Sequence, residues 1–443
     1  MAKKRKKRRK LTKEAKRLLM IIILAPFIYL FIKSYLSTNK IDNKENNQNK
    51  INNSSKTLSN YENYITNINY EYTNNIKIIS SGMNVEDFKG IFNKSENYVN
   101  KVGSYKQINY NFEKKLTYAE FENIFNDLNK SDIVKLENIG KSFDGRNIYI
   151  IEIGKGSKVT MFEGNIHAAE IAPLLYLTKY AVGIINSYEK GNKDVMNLLE
   201  NNKIVIVPTI NPDGYDYTIS GKSIINNKNS YVYQNDIDIE QDYYKANING
   251  VDLNRNFPSR NGGLYFKKYT PSTTLSTKKS TERLAYFPGD ELASEPETKA
   301  LIYFMYKYQK DAHIYAAVHS AGRVIYHGKP DLSSEYNRIC SKTGGIVSNI
   351  TGYQSLGVDY EDVGYGSDGS ATDMISEIKH GFKFSTKIGR LVPTINDIKL
   401  DGSFCAMTIE TLDSYTTDLK TIKEEYENNN LEKAFNALVT FES

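Results

Sequence analysis

Two cysteines are all that the 443 residues contain, too few to read as a disulfide framework. Whether Cys340 and Cys405 pair stays open: an exported chain allows it, and Cys405 inside the apolar run FCAMTI fits a buried thiol equally well. Positive charge is also scarcer than the formal +6 suggests. Residues 1–17 hold eleven Lys/Arg and one Glu, a balance of +10, which leaves −4 on the rest of the chain. That removes the electrostatic footprint of a nucleic-acid binder. No internal repeat and no low-complexity majority is present, and 40% hydrophobic with 25% charged residues excludes wholesale disorder or collagen-like repetition. The length suits one large domain or two ordinary ones.

What is present begins with that basic block, followed directly by the apolar run Leu18 to Ile32. Tyr35 and Leu36 extend it to about the length of a membrane span, with Lys33 able to snorkel. A cleavable signal would end in small residues at an A-x-A-like site, whereas this run ends in Lys-Ser-Tyr-Leu, so a retained transmembrane anchor over 18–36 is expected. The positive-inside rule then places residues 1–17 in the cytoplasm and everything beyond residue 37 outside, as a single-pass membrane protein. Residues 37–60, rich in Asn, Lys and Ser, read as a flexible linker. Residues 61–107 carry scattered aromatics without clean periodicity and receive no assignment.

From Leu116 the pattern sharpens. TYAEFENIFNDLNK has helical spacing, and NIYIIEIG, VTMFE, KIVIVPTI, HIYAAVH and FCAMTIE are short β-branched runs of strand character. The helical patterns APLLYLTKYAVGIINSYEK and EPETKALIYFMYKYQK lie between them. This alternation predicts an α/β fold with a mixed, mostly parallel β-sheet flanked by helices. Ligands in such sheets sit beyond the carboxyl ends of strands. Polar clusters fall at those ends: Asn165, His167 and Glu170; Asn211 to Gly214; and His319 with Ser320.

His167 and Glu170 form His-x-x-Glu, a spacing that suits two ligands on one zinc ion. With five histidines and 52 acids in the chain, chance supplies about 0.6 such pairs. The pair gains weight from His319 at another strand end, because a catalytic zinc takes three protein ligands and keeps a fourth position for water. Glu410 is a carboxylate in an apolar strand, costly there unless paired or functional, and next to a metal-activated water it would act as general base. In GVDLNRNFP, the Arg255 fork beside the Asn254 amide suits a substrate carboxylate. Asp252 in the same segment could accept a hydrogen bond from the far nitrogen of a ligating histidine.

Taken in order, HAAE, INPDGY, GVDLNRNF, HS after a strand, YGSDGSATD and TIET resemble the zinc carboxypeptidase (carboxypeptidase A-like) superfamily. The resemblance covers about residues 110–443 and implies a catalytic domain over 108–443 holding one Zn2+. It implies His167, Glu170 and His319 as ligands, Glu410 as base and Asn254 with Arg255 as the carboxylate-binding pair. Tyr365 matches the mobile tyrosine that closes over substrate, and Thr372 matches a residue at the base of the specificity pocket. YYKANINGVDLNRNFP and HSAGRVIYHG are more similar to the γ-D-glutamyl-L-diamino-acid endopeptidase branch, which implies an extracellular enzyme acting on peptidoglycan stem peptides, with Arg323 as an extra contact for their carboxylates. The alternatives are a metallocarboxypeptidase releasing C-terminal residues from peptides and an inactive wall-binding relative. One departure stands out: residues 216–250 contain no arginine to polarise the scissile carbonyl, and Lys245 is the nearest cation in motif register. Oligomeric state leaves no trace in the sequence.

Overall fold

The computed structural model describes residues 65–66, 83–84, 89–91, 93–235, 244–259, 286–329, 332–357, 369–387, 390–395 and 403–442. The chain divides into two units, 1–55 and 56–443, and every described residue belongs to the second. A membrane span needs about 20 predominantly apolar residues. The longest described helices have 18 and carry charges such as Lys179 and Arg338 along their length. No helix among the described residues is long and apolar enough to cross a membrane. The expected anchor, and with it the membrane partner and the single-pass, extracellular placement, is corrected to that statement about the described residues. Residues 18–36, where the anchor was expected, and the linker 37–60 lie outside the described residues.

Twelve strands occur among the described residues: β1 (Ile65–Thr66), β2 (Met83–Asn84), β3 (Val134–Lys141), β4 (Asn147–Ile153), β5 (Lys158–Gly164), β6 (Asn202–Val207), β7 (Ala312–Ser320), β8 (Val324–His327), β9 (Gln354–Leu356), β10 (Phe382–Lys387), β11 (Arg390–Ile395) and β12 (Cys405–Thr411). Eight build the main sheet in the order β3-β4-β6-β5-β7-β12-β8-β9. Its centre, β6-β5-β7-β12, is parallel, and antiparallel pairs join β3, β4 and β8 to it. The mixed, mostly parallel sheet is therefore as expected. All nine residues of β7 are buried, as in a parallel strand covered on both faces. β6 stops at Val207 because Pro208 has no N–H to continue the ladder. A smaller sheet, β1-β10-β11-β2, was not foreseen.

Helix α1 (Tyr118–Leu128) starts where Thr117 and Glu120 cap each other's backbone N–H groups. It buries Tyr118, Phe121, Phe125 and Leu128, each contributing about 1.5–3 kcal/mol relative to exposure. Helix α2 (Ala172–Glu189) follows β5, and α3 (Lys193–Asn201) leads into β6. Next come α4 (Pro212–Ser220), the short α5 (Tyr231–Gln234) and α6 (Pro296–Tyr308). Pro212 and Pro296 stand in the first turns of their helices, where a missing N–H is harmless. Helices α7 (Ser334–Thr351), α8 (Ala371–Lys379), α9 (Leu419–Asn428) and α10 (Leu431–Thr440) complete the set. Cys340 in α7 and Cys405 in β12 are disulfide-bonded.

Part of the unassigned 61–107 stretch packs on the domain. Val99 N–H donates to the Leu136 carbonyl at 2.8 Å, Asn138 N–H donates to Asn97 at 2.9 Å, and the Tyr105 hydroxyl donates to Asn186 at 2.7 Å.

Candidate active site

The carboxyl ends of β5 and β7 bring the first three predicted residues together. After Gly164 the chain turns at Asn165, which takes a left-handed φ of 48°, a conformation Asn tolerates better than most residues. Its side-chain amide donates to the carbonyls of His167 (3.0 Å) and Glu170 (2.9 Å) and accepts from the Thr209 hydroxyl (2.7 Å). Asn211 donates to the Ile166 carbonyl at 3.1 Å and accepts from Gly214 N–H at 3.0 Å. A Cβ on Gly214 would lie 2.6 Å from both Ala168 and the Asn211 side chain, so glycine is what lets α4 approach this loop. From the other side, Ala168 and Ala169 N–H groups donate to the carbonyls of Lys245 (3.1 Å) and Tyr244 (2.7 Å).

Held this way, His167 Nδ1 lies 2.7 Å from Glu170 Oε1, and His319 Nδ1 lies 2.9 Å from Glu170 Oε2. The three ligand atoms fall within 4.8 Å of one another, and all three residues are buried. Ser320 N–H also donates to Glu170 Oε2, at 3.2 Å. Burial would raise the Glu170 carboxyl, but the two imidazoles hold it far below its usual range. Burial would lower the imidazoles, yet the charge of Glu170 raises His167 and pushes His319 up to about 9. The set therefore asks for positive charge at its centre.

Two imidazoles and a carboxylate match a known catalytic zinc donor set. His167 Nε2 has no hydrogen-bond partner among the described residues and faces Asp252 Oδ1 at 3.4 Å. That is the arrangement in which a metal on Nδ1 leaves the far N–H aimed at a carboxylate. Asp252 accepts N–H bonds from Asn254 (3.0 Å) and Tyr286 (2.9 Å). Burial works to raise its carboxyl, but His167, Arg255 and the Tyr286 amide keep it well below normal. These residues fit one zinc ion.

Glu410 pairs with His319 across the β12–β7 ladder. It is half-buried, and its Oε2 has no hydrogen-bond partner among the described residues. Burial pushes its carboxyl up to about 7, with His319 pulling the other way. Lys245 Nζ stands 3.7 Å from Glu170 Oε1. Asn254 accepts the Ala371 N–H at 3.0 Å, and the Thr372 hydroxyl lies 3.0 Å from that of Ser370, so the Asn254–Arg255 turn abuts the start of α8. Arg255 is buried, and its Nη1 donates to the Asn254 carbonyl at 2.7 Å. Arg323 instead reaches Glu425 at 2.6 Å and Asp413 at 2.8 Å. Tyr365 lies outside the described residues.

Two neighbours of the cluster were missed. Glu163 is fully buried one residue before Gly164, and burial pushes its carboxyl up to about 7. A lone acid ending the apolar run VTMFE was a readable signal. Tyr415, five residues after Glu410, has its ring centroid 5.5 Å from Lys245 Nζ. Among 34 tyrosines it carries no distinguishing spacing.

The sequence model of the zinc carboxypeptidase family (Peptidase_M14) matches residues 121–383, more than half of the chain, and the chain belongs to that family. Glu410 lies beyond the matched residues. The chain is 28% identical over 180 residues to the mouse carboxypeptidase N catalytic chain, covering 39% of this chain and 35% of that one. It is 22% identical over 306 residues to bovine carboxypeptidase O, covering 67% of this chain and 75% of the relative. The structure of bovine thrombin-activatable fibrinolysis inhibitor in complex with tick carboxypeptidase inhibitor superposes with a TM-score of 0.51 at 20% identity, covering 74% of this chain and 97% of that one. At that identity the match speaks to the fold. The chain spans about a third of the mouse carboxypeptidase N catalytic chain. Family and named relatives are carboxypeptidases, without specific support for the γ-D-glutamyl endopeptidase branch. The peptidoglycan stem-peptide reading is corrected accordingly.

Proposed function

We propose that the protein is a zinc metallocarboxypeptidase that releases C-terminal amino acids from peptides. The observation that carries this reading is the buried His167–Glu170–His319 cluster with Glu410 one strand away, in register with His319. Zinc held by those three residues would supply Lewis acidity and lower the pKa of water toward neutrality. Glu410 takes a proton from water as the water oxygen bonds to the amide carbon. It then hands that proton to the leaving nitrogen as the C–N bond breaks, giving a shortened peptide and a free amino acid. Burial disfavours the charged form of Glu410, which suits it to carry that proton between the two halves of the task.

Asp252 orients His167 and fixes its tautomer. Asn254 and Arg255 hold the terminal carboxylate of the substrate, an Arg fork being matched to two oxygens. Thr372 contributes to the pocket for the terminal side chain, Tyr365 closes over it, and Lys245 faces the developing oxyanion. Arg323 is left out of the substrate contacts because Glu425 and Asp413 already engage its guanidinium. Incubating the full chain and zinc with peptides of varied C-termini, and following product masses, tests the reading. Stepwise loss of C-terminal residues is expected; no cleavage, or internal cleavage alone, would defeat it.

A further inference from the structure

We propose that Glu297 is a positioning residue for the Asn254–Arg255 pair: Glu297 and Glu295 hold one proton between them, and its loss in alkali loosens the turn that grips the terminal carboxylate of a substrate. This rests on the metallocarboxypeptidase reading and adds a residue outside the metal cluster. Both acids are buried, Glu295 just before α6 and Glu297 in its first turn. They share one donor group, because Asn247 Nδ2 lies 2.8 Å from Glu295 Oε2 and 3.4 Å from Glu297 Oε2. Glu295 is the better supplied, accepting also from Ser294 Oγ at 2.8 Å and from Asn249 Nδ2 at 3.2 Å. Glu297 accepts the Phe143 N–H at 2.8 Å. The charges acting on it are acidic, Asp213 on α4 and Glu295.

Two carboxylates out of water around one amide nitrogen resist carrying two charges, so one of them keeps its proton. Burial first, then the charges of Asp213 and Glu295, raise the Glu297 carboxyl well above its usual range. Behind Asp213, Arg146 is already met by Asp144, Asp213 and Asp216. On the other side, the Tyr244 hydroxyl donates to the Asn247 carbonyl, and burial pushes that phenol up, keeping it neutral. The pair matters to the site because of what it holds. Asn247 Oδ1 accepts the N–H groups of Asn249 and Val251, each at 3.1 Å, and so shapes the entry to Asp252. At the far end, Asn256 Oδ1 accepts the Glu295 N–H at 3.3 Å, and the Asn256 carbonyl accepts the Ala293 N–H at 2.6 Å. The segment from Asn247 to Asn256 is thus tied at both ends to the chain around Glu295, with Asp252, Asn254 and Arg255 between the ties. A second buried negative charge would repel Glu295 and release the Asn247 end.

The test uses full-length, zinc-loaded protein, unaltered and carrying Glu297→Gln or Glu295→Gln, either of which leaves one acid and no shared proton. As pH rises into the alkaline range, the KM of the unaltered enzyme for a peptide, divided by that of Glu297→Gln, should grow by up to about tenfold per pH unit, the slope of one lost proton. The corresponding kcat ratio should stay level, because only the grip on substrate changes. Glu295→Gln should follow Glu297→Gln. A KM ratio flat with pH, a change carried by kcat, or a Glu295→Gln profile that follows the unaltered enzyme would overturn the proposal. A second readout needs no catalysis. Glu297 keeps its proton in the folded chain at a pH where the unfolded chain has released it, so stability falls as pH rises above the ordinary carboxylate range. In metal-free protein, the denaturation midpoint of Glu297→Gln relative to the unaltered chain should therefore shift upward with pH. A constant difference means that no such proton is held. A widening difference in a protein that hydrolyses no peptide leaves the shared proton standing and removes its part in substrate binding along with the proposed function.

Discussion

Two buried charged clusters flank the same sheet and are built on opposite terms. Around Arg146, in the turn before β4, every charge is answered. Nη1 meets Asp144 at 2.7 Å and Asp213 at 2.9 Å, Nε meets Asp216 at 2.8 Å, and Nη2 donates to the Ile224 carbonyl at 2.9 Å. Ser142 Oγ and Asp144 N–H add bonds to Asp213, and Tyr118 N–H adds one to Asp216. At the ends of β5, β7 and β12 the reverse holds: Glu410 Oε2 and His167 Nε2 lack hydrogen bonds among the described residues, and Glu170 sits between two imidazoles. A satisfied network locks structure, while a half-satisfied one costs stability and is kept where chemistry needs open valences.

Four changes would break or sharpen that contrast. Removing the metal with a chelator, or His319→Ala, should abolish hydrolysis and drop zinc content from one per chain, read by elemental analysis beside activity. Glu410→Gln should keep the zinc and lose roughly 10²–10⁴ in kcat; a near wild-type rate would remove Glu410 from the chemistry. Arg146→Met strands three buried carboxylates and should destabilise the fold by about 3–5 kcal/mol in denaturant unfolding, with little effect on KM in whatever fraction stays folded. Thr117→Ala, which removes the α1 cap and leaves the Tyr118 N–H bond to Asp216 in place, should lower stability by only about 1 kcal/mol and leave kcat alone.

Legibility in the sequence followed the same divide. The central strands were readable because parallel strands buried on both faces become unbroken apolar runs. β3 was not, since VKLENIGK buries Glu137 against Tyr303 and Lys307, partners far along the chain. β8 and β9 are too short to show a period. His167, Glu170 and His319 stood out because histidine is rare here and these two lie just after β5 and near the end of β7. Tyr415 did not, because a common residue in a loop gains meaning only when folding places it on Lys245. Arg323 was visible as a cation, but not its partner Glu425, 102 residues away. The basic and apolar N-terminus was legible as composition alone, and the helices described offer no membrane span.

Because Glu410 and His319 face each other on one rung of the β12–β7 ladder, backbone hydrogen bonding rather than any loop sets how far the proton acceptor stands from that histidine. A single-residue slip of β12 would swing the carboxylate through to the opposite side of the sheet. Loops around the mouth are thus free to diverge, while the spacing between Glu410 and His319 is held by the sheet.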